Sequence, residues 1–200
     1  MSVLGRMESL DQFRLLCHTW PRELTWPKRL GLAVIMAAVT GLSAQVRFPL
    51  PDTLVPVTGQ VFAVLLSGVL LGGAWGSLSQ TIYLGLGAAG LPWFAGWAAG
   101  LPTAGYLIGF IPAAMAVGWV TDRHIAARYF LPQVALMIGG VAVIYSFGAF
   151  MFSQITGLGP GATIQEAVLP FVPFDLGKVL AAAAISSTLL PKKTGNKVCG

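Results

Sequence analysis

Two residues able to carry charge stand three positions apart in a stretch otherwise fit for lipid: Asp175 and Lys178, within "AVLPFVPFDLGKVLAAAAISSTLLPKK" from Ala167 to Lys193. On a helix this spacing puts both side chains on one face, where a carboxylate and an ammonium either pair with each other or offer an acceptor and a donor to a ligand. Ionisable groups within a membrane span cost about 2.5 to 3.5 kcal/mol each on insertion scales, so by default they mark function. Other polar side chains follow prolines at similar distances. Gln60 is four residues past Pro56 in "VPVTGQ", Tyr106 is four past Pro102 in "LPTAGY", and Asp175 and Lys178 are each five past Pro170 and Pro173. Proline suits the first turn of a helix because it has no N–H to satisfy. With a rise of 1.5 Å per residue, these groups are predicted roughly 6 to 12 Å below their helix ends, lining one cavity.

The elements that hold them must be helices in a bilayer. The chain is 56% hydrophobic and 10% charged, with mean hydropathy +0.77, well outside the balance of a water-soluble domain. No Asp, Glu, Lys, Arg or His occurs from Thr53 to Thr121, nor from Tyr129 to Gln165. The first stretch is too long for one crossing, which needs only about 20 residues. The runs lack the alternation of a barrel strand, and lipid offers free backbone groups no partner. The expected fold is therefore an all-α integral membrane protein with six transmembrane helices, at roughly 30–48, 55–72, 74–91, 102–121, 130–152 and 170–190. The "GGAWG" turn at Gly72 to Gly76 is expected to join the second and third into a hairpin.

Under this division all but two of the 12 Lys and Arg residues fall on one side, which assigns both termini to the cytoplasm. The exceptions are Arg47 and Lys178. Residues 1–29 form a cytoplasmic N-terminal extension without an apolar signal-peptide core, residues 30–190 the membrane domain, and residues 191–200 a cytoplasmic tail. Met7 to Trp20 reads either as an amphipathic helix on the membrane surface or as a polar extension. Cys17 and Cys199 both fall on the cytoplasmic side, so no disulfide framework is expected. The net charge of +5 follows from topology and calls for no nucleic acid partner.

Several chemistries are disfavoured. No G-x-x-x-x-G-K-[ST] phosphate loop occurs, so energy for active transport would have to come from another protein. The two histidines, His18 and His124, lie in predicted cytoplasmic segments, and neither His nor Cys has metal-ligand spacing, so no metal site is expected. An enzyme is disfavoured for the same reasons. The outward loop "LPWFAGWAAGLPTAGY" is rich in Gly and Trp and reads either as an aromatic belt or as a lid over a ligand. In "LAVIMAAVTGLSA" the small residues Ala33, Ala37 and Gly41 recur every four positions, which suits close helix contact, either inside the bundle or with a docking partner.

The order "VPVTGQVFAVLLSGVLLGGAWGSLSQTIYLGLGAAGLPWFAG", then "GLPTAGYLIGFIPAAMAVGWVTDR", then "LPFVPFDLGKVLAAA" resembles the BioY family, the biotin-binding S components of energy-coupling factor (ECF) vitamin transporters. The resemblance covers about residues 30–190. It implies six helices in the plasma membrane, capture of biotin from outside, and as partners a transmembrane coupling protein with ATPase subunits. No bound cofactor is implied, biotin being cargo. Carried over, the "P-F-x-P-x-D-x-x-K" motif makes Asp175 and Lys178 the substrate-binding pair. Leu91 to Gly96 and Pro102 to Tyr106, with Thr103 among them, would lie near the pocket mouth. The Ala33 and Ala37 spacing resembles the motif that S components present to the coupling protein. The sequence departs from the family in its longer N-terminal extension, its Trp-richer loop, and the lack of any Asn except Asn196. Gln60 or Gln80 would stand in for the pocket Asn of some members.

The ligand implied by the resemblance suits these residues chemically. A ureido group presents N–H donors beside a carbonyl acceptor, matching a carboxylate and an ammonium side by side. Lys178 binds either that carbonyl or the valerate carboxylate, and in the first case Arg47 or backbone N–H groups hold the carboxylate. The bicycle would pack on Tyr83, Trp93 or Phe94. The alternative is a stand-alone or secondary transporter that works without an ATPase module.

Overall fold

The computed structural model describes residues 12–15, 21–50, 55–95 and 101–192. Cys17, Cys199, Gly96 and most of the Met7 to Trp20 segment lie outside them, as does the tail beyond Lys192. Residues 12–15 form one helical turn, and Arg14 Nε donates to the Thr188 carbonyl.

The main elements are α1 (Trp26–Gln45), β1 (Arg47–Phe48), β2 (Val57–Thr58), α2 (Gln60–Leu71), α3 (Gly73–Ala88), α4 (Leu101–Arg123), α5 (Phe130–Thr156), α6 (Pro160–Ala167) and α7 (Val172–Leu189), with a 3-10 turn at Ile125–Arg128. The protein is thus mostly helical. Among the described residues three helices are long and apolar enough to cross a membrane: Pro102–Arg123, Phe130–Thr156 and Val172–Leu189. At twelve residues α2 is only about 18 Å long, short of the roughly 30 Å hydrocarbon core.

The sequence placed the second helix from residue 55, and the structure corrects this. Val55 to Thr58 are β-branched or proline, and a residue preceding proline avoids the helical region. Val57–Thr58 instead pairs antiparallel with Arg47–Phe48, with Arg47 opposite Thr58. The Gly59 N–H donates to the Ser43 and Val46 carbonyls, which pins this ribbon to the end of α1. Pro56 therefore sits in the ribbon, and α2 starts at Gln60. In α7, Pro173 lies at the helix start and Asp175 falls in the first turn. The short helix α6 was not anticipated.

Gly72 alone separates α2 from α3. Its φ of 84° lies in the left-handed region, and a Cβ there would meet Asp122 Oδ2 at 2.7 Å. The expected hairpin forms around this residue. Gly68 and Gly118 let α4 approach it at backbone distance: a Cβ on Gly68 would meet the Ala114 carbonyl oxygen at 2.4 Å.

Ala33, Ala37 and Gly41 face into the bundle. Both alanines are wholly buried, and a Cβ on Gly41 would meet the Trp93 side chain at 3.0 Å. The docking expectation for these three is thereby corrected. Small side chains let α1 seat against its neighbours within the chain, and the face α1 leaves exposed carries Val34, Ile35, Val39 and Leu42 instead.

Candidate functional site

At the end of the bundle away from Trp26 and Leu189, the starts of α2, α4 and α7 meet the ribbon and the loop after α3. They line a recess with about 590 Å³ of empty space, the open solvent at its mouth included. Gln60, Phe94, Thr103, Tyr106, Asp175 and Lys178 all line it, together with Thr58, Phe110, Ile144, Tyr145 and Phe171.

Asp175 is the centre of its polar wall. The carboxylate is buried, and the start of α7 favours an anion through the helix dipole. Lys178 Nζ donates to Oδ1 at 2.5 Å, and the Tyr145 hydroxyl donates to Oδ2 at 2.7 Å. Each carboxylate oxygen thus keeps acceptor capacity, and the ammonium keeps further donors. The two charges do pair, yet both still line the recess.

Gln60 stands across from them at the first residue of α2. Its Oε1 accepts from the Thr58 hydroxyl at 2.8 Å, and its Nε2 donates to the Tyr83 hydroxyl at 2.7 Å. Tyr83 is fully buried behind Gln60, and the Trp93 indole N–H donates to the Tyr83 carbonyl at 3.0 Å. Gln45 Nε2 reaches the Trp93 and Phe94 carbonyls, both at 3.3 Å. These bonds fasten the first part of the Trp-rich loop to α1 and α3. Of the three aromatics expected against a bicyclic ligand, Phe94 lines the recess, while Tyr83 and Trp93 do not. Both are corrected to a supporting layer behind Gln60 and the loop. The apolar wall comes instead from Phe110, Ile144 and Phe171.

Tyr106 owes its place to two neighbours. Its ring lies on Gly148 of α5, where a Cβ would meet the ring at 2.3 Å, and its hydroxyl donates to the Ala167 carbonyl at the end of α6 at 2.5 Å. Arg47 is exposed in β1 and does not line the recess. Gln80 also lies elsewhere, fully buried, donating to Ser67 Oγ at 2.9 Å and Thr40 Oγ1 at 3.3 Å. Tyr145 was missed from sequence. The available signal was a hydroxyl in the uncharged run from Tyr129 to Gln165, which in a span must find a partner.

A helical bundle with three spans of membrane length and an apolar recess lined by one acid, one amine and one amide has the frame of a membrane protein with a small-molecule pocket. The BioY family model matches residues 18–194, and the chain belongs to the BioY family. It is 43% identical over 140 residues to the probable biotin transporter BioY of Methanothermobacter thermautotrophicus, covering 64% of this chain and 89% of that one. It is 35% identical over 167 residues to the biotin transporter BioY of Thermotoga maritima, covering 81% and 95% respectively. The fold is similar to the solved structure of the S-component for biotin from an ECF-type ABC transporter, with a TM-score of 0.75 at 22% identity, over 86% of this chain and 96% of that one. The family is one of transporters, not enzymes.

Proposed function

We propose that this chain captures biotin from outside the cell in the recess around Asp175 and Lys178, and releases it inward as the S component of an ECF transporter. It does so without a resident cofactor. The observation that carries this reading is the pairing of a buried carboxylate with an ammonium at the wall of an otherwise apolar recess, in a chain of the BioY family. Asp175 accepts from a ureido N–H while Lys178 donates to a carbonyl or carboxylate, and Gln60 and Thr103 supply further polar contacts. Phe94, Phe110 and Phe171 take the apolar part of the ligand.

The six longer helices alternate in direction, which supports six crossings of the plasma membrane. The basic excess near the first and last helices supports cytoplasmic termini. Helix α2 is buried over ten of its twelve residues, and α3 packs one face against its neighbours. The partners are a transmembrane coupling protein and its ATPase subunits, since the chain has no nucleotide loop. Membrane lipid surrounds it.

Labelled biotin should bind saturably to the purified chain in detergent, and Asp175→Asn and Lys178→Met should each weaken that binding. No saturable binding by the unmodified chain would overturn the reading. Unchanged binding by both variants would overturn the site. Uptake by cells should require the ATPase subunits, and undiminished uptake without them would refute the coupling.

A further inference from the structure

Tyr145 projects from the middle of α5 to Asp175 on α7, 30 residues further along the chain. Its hydroxyl and the carboxylate form part of two surfaces at once. On one side they line the recess, and on the other they line a groove along the seam between α5 and α7. The rest of that groove is Ile138, Val141, Ala142, Val172, Leu176 and Val179, all apolar, and Ile138, Val172 and Leu176 are exposed at its rim. The Asp175 carboxylate thus sits in a wall between a polar-headed recess and a greasy seam. Lys178 engages Oδ1 from one helical turn further on, and the Tyr145 hydroxyl reaches Oδ2 from α5.

From this geometry we propose that Tyr145 is a positioning residue for ligand binding. Its hydroxyl fixes the rotation of the Asp175 carboxylate, so that the remaining acceptor sites face the recess and not the seam. Without it, the carboxylate is held through one oxygen only and turns about its bond to Cβ. The proposal rests on the biotin-binding role given above.

Two measurements on the purified chain test it, using Tyr145→Phe, which keeps the ring and removes only the hydroxyl. The first is the antisymmetric carboxylate stretch of Asp175, isolated as the infrared difference between the unmodified and Asp175→Asn chains. The second is the Kd for labelled biotin. The stretch should shift in Tyr145→Phe, and Kd should rise roughly tenfold, as expected for one hydrogen bond to a charged group. Tyr145→Met, which removes the hydroxyl in a different side chain, should repeat both changes. An unmoved stretch would show that Tyr145 does not hold the carboxylate, and a moved stretch with unchanged Kd would show that holding it does not serve binding. Either result overturns the proposal and spares the functional reading. If the unmodified chain binds no biotin, the functional reading fails and the proposal with it, whatever the stretch does.

Discussion

Charged side chains lie inside the protein at both ends of the bundle, and the two ends use them differently. At the end where α1 begins and α7 finishes, the Arg22 guanidinium pairs with the Asp122 carboxylate. Arg128 is buried there and donates to three main-chain carbonyls: Nε to Thr121 at 3.1 Å, and the terminal nitrogens to Asp122 and Pro191, both at 3.2 Å. Burial pulls the Arg128 pKa below its ordinary value, Arg22 adds to that, and Asp122 opposes it. The three carbonyls stabilise a charge that burial disfavours, and they tie the end of α4 to the chain leaving α7. At the recess end, Asp175 gives one acceptor site per oxygen to Tyr145 and Lys178, keeps further acceptor capacity and lines the recess. A buried charge therefore does not by itself mark a binding site. What separates the two ends is hydrogen-bonding capacity left over at the wall of a recess.

This contrast predicts that changes at the recess end act on binding and changes at the other end act on stability. The largest expected effect is on the carboxylate: Asp175→Asn should raise the Kd for biotin about a hundredfold, since it replaces charge-assisted bonds to the ligand by weaker neutral ones. Filter binding or calorimetry reads this directly. Arg128→Ala should lower unfolding stability by about 3 kcal/mol by leaving three helix-end carbonyls without their donor, while the folded fraction binds biotin normally. Denaturant titration in detergent beside biotin binding separates the two. A hundredfold loss of affinity in Arg128→Ala would erase the distinction between the ends.

A smaller effect is expected at Gly148. An added methyl there would meet the Tyr106 ring, so Gly148→Ala should displace that ring from the recess wall and weaken biotin binding roughly tenfold, with about 1 to 2 kcal/mol of overpacking. Gly139→Ala on the same helix meets nothing within 4 Å and should leave both quantities unchanged. Equal behaviour of the two variants would show that Tyr106 does not need its seat.

Much of this is legible in the sequence alone. Hydropathy located the helical segments because burial in lipid requires long apolar runs, and Gly and Pro marked most of their breaks. The Asp175 and Lys178 pair stood out because charge is costly there. Depth matching from the prolines brought Gln60, Tyr106 and the pair together, although Pro56 proved to belong to a ribbon, whose pairing is a long-range event that helix-start rules do not see. Ala33, Ala37 and Gly41 were ambiguous because small residues favour close contact without saying with what. Tyr83 and Trp93 were placed one layer too near the ligand. Distance along the chain tells which loop lies at the mouth but not which aromatic turns inward. Tyr145 was missed because its partner lies 30 residues away on another helix.

The smallest predicted effect concerns two buried glutamines, which repeat the contrast between the ends in neutral form. Gln60 lines the recess, with its amide held between Thr58 and Tyr83. Gln80 is packed where α1, α2 and α3 meet, and its Oε1 has no hydrogen-bond partner among the described residues. Two of the three hydroxyls that its Nε2 reaches send their own hydrogens elsewhere, Thr40 to the Met36 carbonyl and Ser67 to that of Val64, while buried Ser79 Oγ, at 3.5 Å, has Gln80 as its partner. Replacing Gln80 by Met keeps the volume and removes an unpaired acceptor, at the cost of one long bond to the Ser79 hydroxyl. Stability should therefore change by no more than about 1 kcal/mol in either direction, with biotin affinity unaltered. Gln60→Met makes the same chemical change but takes a polar group from the recess, so it should raise Kd several-fold, roughly what one neutral hydrogen bond contributes. Should Gln80→Met weaken biotin binding as much as Gln60→Met does, the polar cluster around Thr40 and Ser67 would have to be coupled to the recess, and capacity facing the cavity would no longer suffice to tell a binding residue from a packing one.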